Sequence, residues 1–335
     1  MNQERDLEME EKNIDFARLF DRKAALREEL IARLRSIKAT VPDYAFASRP
    51  VPGQLAVMGE ASAQMDELLL QILDEQDRIR KTGPEKFRRE DVFVWGGPTT
   101  HWGGTMDPDT AVRGMEYFGA ENAVYVYGPL NEEALELHRN CKKLICQVTR
   151  TARSSEQPES DAECAEKLSR LSLKYPNIVG GIADDLVIYL GRNYSIRDIM
   201  SIRDSLKKHN DRLDFCGVVY AGDLDHPNMP RVAACLDVVN LWFGQKSDIA
   251  EFDLIIEKCL VKCPGKKIML GVFMQDINLS DLGYDPRLLL RYLDRAERAY
   301  RSGKIQGLVI LGDREIAKFP ELAQTVRQYF ARRWN

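Results

Sequence analysis

A chain of 335 residues, 44% of them hydrophobic, can bury the core of two average domains or of one large barrel with an extension. Its formal net charge of −4 offers no basic excess, which argues against a nucleic-acid partner. No apolar run approaches the roughly 18 residues of a membrane span, so no membrane partner is expected either.

The first 90 residues differ in texture from the rest. "MNQERDLEMEEKN" is charged throughout and lacks the apolar stretch of a secretory signal. From about Asn13 to Ile37 an apolar stripe of Leu19, Leu26, Leu30, Leu34 and Ile37 recurs amid Arg and Glu, the pattern of an amphipathic helix. "TVPDYAFASRPVPGQ" breaks it with prolines. A second helical pattern follows, with Met65, Leu68, Leu69, Ile72 and Ile79 on one side, closed by Thr82-Gly83-Pro84. Residues 1–90 thus read as an N-terminal helical extension, either a cap on the body or an arm for homo-oligomerisation. The cap is preferred, because the stripe does not sustain heptads.

After Glu90 the sequence turns to short apolar runs: "VFVWGG" at 92, "AVYVYG" at 123, "KLICQVT" at 143, "NIVGGIADD" at 177, "FCGVVYAG" at 215, "LDVVNLWFG" at 236, "KIMLGVFMQD" at 267 and "GLVILGD" at 307. Between them, 161–174, 195–208, 248–261 and 286–301 are long enough for crossover helices, and 130–139 and 230–236 are short but sufficient. Near-continuous apolar strands alternating with helices indicate a parallel sheet covered on both faces. Eight such units over residues 91–335 fit an α/β fold, the (β/α)8 TIM barrel of about 250 residues. The runner-up, a doubly wound open sheet, lacks a Gly-x-Gly-x-x-Gly after its first strand.

In a barrel the site lies at the C-terminal strand ends. Those ends carry Trp95, His101 and Trp102 after strand one, Gln147, Thr149 and Arg150 after three, and Asp184 and Asp185 after four. Strand five leads to Tyr220, Asp223, Asp225 and His226, and strand six ends in Asn240 and Trp242. Strands seven and eight lead to Gln275 and Asp276, and to Asp313 and Glu315. Alternation along a strand puts Asn240 with Trp242, and Gln147 with Thr149, on the lumen face. In strand four it assigns Ile178 and Ile182 to the helices and Val179, Gly181, Ala183 and Asp185 to the lumen, which favours Asp185 over Asp184.

Two carboxylates flanking a glycosidic bond suffice for its hydrolysis, so Asp185 and Asp276 are the expected pair, with Asp184 third. Trp95, Trp102, Tyr127, Tyr220 and Trp242 would offer flat faces to sugar rings, and Gln147, Arg150 and Asn240 would hold hydroxyl groups. His101, in a Gly-rich loop, joins the ligand contacts. The competing explanation is that Asp184 and Asp185 cap a short helix beginning near Leu186. Asp185, Asp223, His226, Asp276 and Glu315 could instead gather around a divalent ion, but no H-x-x-E, H-x-H or C-x-x-C spacing supports a metal, and no cofactor is expected. Seven irregularly spaced cysteines form no disulfide framework, consistent with a reducing cytoplasm.

"KYPNIVGGIADDL", "VVNLWF", "PGKKIMLGVFMQD" and "SGKIQGLVIL" together resemble a bacterial TIM-barrel family similar to glycoside hydrolases. The resemblance covers roughly residues 91–330 and rests on the Gly-Gly-Ile-x-Asp-Asp turn and the Asp after strand seven. It implies a barrel and a small-molecule carbohydrate substrate, with Asp184, Asp185 and Asp276 at the matching positions. In the large retaining glycosidase clan the acid and the nucleophile come from strands four and seven as Glu; this chain carries the shorter Asp at both. The expected activity is glycoside hydrolysis with Asp185 as acid and Asp276 as base or nucleophile. Its rivals are a metal-dependent sugar isomerase, lyase or aldolase, and a sugar-binding protein without turnover.

Overall fold

The computed structural model describes residues 52–77, 86–100, 104–149, 159–277, 282–312 and 314–334. The helix expected over residues 13–37 lies outside them. Eight strands form one closed ring in sequence order: β1 Val92–Gly96, β2 Asn122–Tyr125, β3 Lys143–Gln147, β4 Ile178–Ala183, β5 Asp214–Tyr220, β6 Val238–Trp242, β7 Lys267–Val272 and β8 Gly307–Leu311. Every pairing is parallel, and β8 returns to β1 through Val92 opposite Leu308 and Trp95 opposite Leu311. The architecture is a (β/α)8 TIM barrel.

A long helix, α1 (Pro52–Asp77), precedes the ring. The crossovers are α2 (Thr110–Phe118), α3 (Glu132–Leu137), α4 (Asp161–Leu171), α5 (Ile196–Leu206), α6 (Met229–Cys235), α7 (Lys246–Ala250) with α8 (Phe252–Lys262), and α9 (Pro286–Arg301). After β8 come α10 (Glu315–Lys318) and α11 (Pro320–Trp334). Local chemistry starts several of them. Ser160 with Glu163 and Ser195 with Asp198 form reciprocal capping boxes at α4 and α5, and Pro286 opens α9 behind the Asp285 cap. The sequence reading had not singled out α2, whose nine residues bury only a short stripe of Ala111, Met115 and Phe118.

Alternation along the strands divides the apolar residues into two clusters. Val94, Ala123, Cys146, Phe215, Leu241, Leu270 and Ile310 pack outward against the helices. Phe93, Ile145, Cys216 and Met269 from the odd strands meet Val124, Ile182, Val238 and Val309 from the even ones inside the ring. Barrel lumens are filled in this way by side chains from alternate strands.

Strand β4 corrects one expectation. Leu144 pairs with Ile178 but Ile145 pairs with Gly180, so Val179 is an extra residue, a β-bulge. A bulge resets the alternation beyond it. Ile182 therefore packs in the lumen cluster, while a Cβ on Gly181 would meet Leu206 and Val148 at 3.0 Å on the helix side. Gly181 and Ala183 face outward, the reverse of the sequence reading, and the inward position after Ile182 falls to Asp184.

Helix α1 docks on α7 and α9, with Met65, Leu69, Leu70 and Leu73 buried. A charged pair sits in this interface: the fully buried Lys246 ammonium lies 2.9 Å from Asp66, donates to Ser62 Oγ, and rests 5.7 Å from the centre of the Tyr284 ring. Among the described residues, no helix is long and apolar enough to cross a membrane. Removing one member of such a pair leaves the other buried and uncompensated. Lys246→Met should therefore cost about 3–5 kcal/mol in urea denaturation, and adding Asp66→Leu should restore most of it. A single-variant cost below about 1 kcal/mol would show that the pair is not desolvated.

Candidate active site

The two aspartates that end β4 sit at the C-terminal mouth. Thr149, just past β3, accepts the Asp184 N–H on its Oγ1 at 3.2 Å, and the Asp184 carboxylate accepts the N–H of Asp185. Asp185 has a left-handed backbone with φ of 50°, and its Oδ1 accepts the Tyr220 hydroxyl at 3.1 Å. Residues 184–189 form turns, so the short helix expected near Leu186 is absent and capping does not explain the pair. Among the described residues, Tyr127 (φ 66°) is the other non-glycine with positive φ, and it too lies at the mouth, just past β2. Such conformations cost energy and persist only where neighbours over-determine them. At Tyr127 the neighbours do so: its N–H donates to Gln147 Oε1 at 2.8 Å, and its hydroxyl accepts Trp95 Nε1 at 3.1 Å. The Arg314 guanidinium stands 5.5 Å over its ring.

Burial dominates the electrostatics. It pushes the Asp184 carboxyl up to about 8, the charge of Asp185 adds to the rise, and Arg314 opposes both. Asp185 is also raised by burial, against the Tyr220 hydrogen bond. The two interact strongly and titrate as a pair. Burial and both carboxylates push the Tyr220 phenol well above its usual range, so Tyr220 remains a hydrogen-bond donor.

Beneath the pair the lumen is aromatic. Trp95 and Trp242 meet nearly edge to face at 5.7 Å, and Phe273 lies 4.7 Å from Trp242. The Trp242 indole occupies the space over Gly271, where a Cβ would come within 2.0 Å of it. Trp242 Nε1 donates to Asn240 Oδ1 at 2.8 Å, and Asn240 Nδ2 donates to the Met269 carbonyl at 3.0 Å. Both indoles are only 3% exposed. Trp95 and Trp242 are thus a packed floor rather than open platforms, and Asn240 is engaged at both ends. Gln147 has the inward parity expected of it, and its buried Nε2 has no partner among the described residues. His101, Trp102, Arg150 and Asp313 lie outside the described residues.

Asp276 differs from expectation. Phe273 and Ile277 pack against the lumen cluster, so Asp276 between them turns toward the helix layer. Its Oδ2 accepts the Lys246 N–H at 2.7 Å, and its charge bears on Asp248, which burial raises to about 7. It belongs to the polar layer beneath α1, not to the group formed by Asp185 and Tyr220. The inward residue is Gln275, whose Nε2 donates to Glu315 Oε1 at 3.2 Å; both are 1% exposed. In the sequence Gln275 stands at a strand end with no role attached, and Glu315 enters only as a member of the alternative metal set, since neither stands in a spacing that marks hydrolytic chemistry. In the alternative metal set, Asp223 accepts the Tyr220 N–H, and His226 Nδ1 accepts that of Asn228. Among the described residues no three His, Cys, Asp or Glu side chains gather for a metal ion.

Fold and site define a TIM-barrel protein with a pair of adjacent aspartates, one buried and one half-buried, at its C-terminal mouth. No family model and no curated protein matches the chain. Among solved structures it is similar to a Bacteroides thetaiotaomicron VPI-5482 protein designated an alpha-L-fucosidase, at 12% identity and a TM-score of 0.50, over 75% of this chain and 97% of that one. It is also similar to a tamarind chitinase-like lectin (14% identity, TM-score 0.43, 70% of this chain and 98% of that one). A Bacteroides uniformis beta-glucuronidase matches at 12% identity and a TM-score of 0.47, over 68% of this chain but only 30% of its own. At such identity the likeness is one of fold.

A carboxyl raised on folding keeps its proton in the folded state at a pH where the unfolded chain releases it. Asp184 therefore makes stability fall as pH rises from about 4 to about 8. The urea midpoint of Asp184→Asn, followed from pH 5 to pH 9, should decline less than that of the parent. Equal slopes would mean that this carboxyl is ionised in the folded state throughout.

Proposed function

We propose that the chain is a carbohydrate-active barrel enzyme that hydrolyses a glycosidic bond at the Asp184–Asp185–Tyr220 cluster. The observation that carries this reading is the burial of the Asp184 carboxyl at a strand end directly beside Asp185, which pushes it up to about 8. A proton-bearing carboxyl in a dry strand-end site is what a general acid needs to protonate a departing sugar oxygen. Asp184 takes the role of acid that the sequence reading gave to Asp185. Asp185, anchored by the Tyr220 hydroxyl, holds the negative charge that keeps the Asp184 proton in place.

Hydrolysis needs a second carboxylate on the other side of the bond. Asp276 was expected there, but its outward turn favours Glu315, which follows β8, the strand four places around the ring from β4. Gln275 donates to Glu315 and so orients it. The crossed indoles below close the lumen and exclude water from that side.

Nitrophenyl glycosides and reducing-sugar release test the reading. Asp184→Asn and Glu315→Gln should each lower kcat by about a hundredfold to ten-thousandfold with the melting temperature little changed, while Asp276→Asn should retain most of the activity. If the chain binds sugars saturably yet releases no product, the enzyme reading fails in favour of a binding protein. If Asp276→Asn is inactive and Glu315→Gln is not, the second carboxylate is misassigned.

A further inference from the structure

The opposite end of the barrel holds a feature that the proposed reaction does not use. A cavity of about 920 Å³ opens at the N-terminal ends of the strands. Its walls are apolar, formed by Phe93, Ile145, Val179, Val238 and Met269. Trp95, Asn240 and Trp242, further along the same strands, fill the lumen and separate it from Asp184. Part of the space traces to the bulge: Val179, the extra residue of β4, lines the cavity and is only half-buried. An apolar floor beneath an open rim of charged and polar groups, at a volume within about 300–1,000 Å³, has the size and lining of a small-molecule site.

The rim sets the sign of the ligand. Asp91 accepts from the Tyr300 hydroxyl at 2.6 Å and pairs with Arg88 at 2.8 Å, and Asp214 pairs with Lys267 at 2.8 Å. Both carboxylates of the rim are thereby neutralised. Lys86 and Lys143 remain without a carboxylate partner among the described residues; Lys143 Nζ donates only to the Glu90 carbonyl, at 2.7 Å. Lys143 is the first residue of β3, and alternation with Ile145 turns it toward the opening.

We propose that this cavity is a second binding site, for a small monocarboxylate with an apolar tail: the tail lies against Phe93, Ile145, Val179, Val238 and Met269, and the carboxylate meets Lys143 and Lys86 at the rim. The tail gains by leaving water, and the head forms a charge-assisted hydrogen bond with an ammonium that otherwise has only a carbonyl. The site is independent of the glycosidase reading, and neither depends on the other.

Calorimetric titration of the full chain with octanoate, and with octanol as its neutral counterpart, tests the proposal. Octanoate should bind at one per chain. Lys143→Met should weaken octanoate by at least about tenfold and octanol by less than about twofold. Val179→Phe, which fills the cavity, should weaken both ligands. No saturable heat with octanoate would overturn the proposal, as would Lys143→Met binding octanoate as tightly as the parent. Lys143→Met changes a rim residue outside the core, so it keeps the test decisive if Val179→Phe does not fold.

Discussion

Closure of the sheet governs everything else in this molecule. Once β8 pairs with β1, every inward side chain must share a narrow lumen, and every outward one must meet a helix. Backbone hydrogen bonds leave no sheet edge unsatisfied, and the ring brings residues more than 200 positions apart to one rim. The position of Asp184 relative to Arg314, and of Gln147 relative to Gln275, follows from that ring and not from any local motif.

The protein buries charge in contrasting arrangements. Under α1, Lys246 and Asp66 compensate each other in full burial, with Ser62 and Tyr284 completing the shell. At the mouth, the buried Asp184 carboxyl lies beside the half-buried Asp185, with the Tyr220 hydroxyl on Asp185 and the Arg314 guanidinium acting on Asp184. The first arrangement tends toward structural specificity, because both charges are answered. The second leaves a carboxyl protonated where carboxyls are ordinarily ionised, which is characteristic of sites that move protons. Asp276 accepts the Lys246 N–H beneath α1 and Asp184 accepts the Asp185 N–H at the mouth, although both follow apolar strands and look alike in the sequence.

Much of the barrel was legible from the chain alone. All eight strand runs, and the helical stretches at 161–174, 195–208 and 286–301, mark themselves by apolar period and by Pro, Ser and Asp at their boundaries. The inward placement of Asn240, Trp242, Gln147 and Thr149 was also readable, because β3 and β6 keep strict alternation. In β4 the same rule misled, since nothing in "NIVGGIADD" announces that Val179 is unpaired. A bulge is a relation between two strands, and one strand's sequence cannot display it.

What the sequence determined, then, is the set of elements, their order, and the end of the barrel where polar residues collect, because these depend on each segment's own periodicity and composition. Only the tertiary structure decided which member of the Asp184–Asp185 pair turns inward, that Asp276 belongs to the helix layer, and that Trp95 and Trp242 form a floor. Those outcomes depend on register, on shear between neighbouring strands and on which distant side chain fills a given space. Such quantities exist only when the ring has closed.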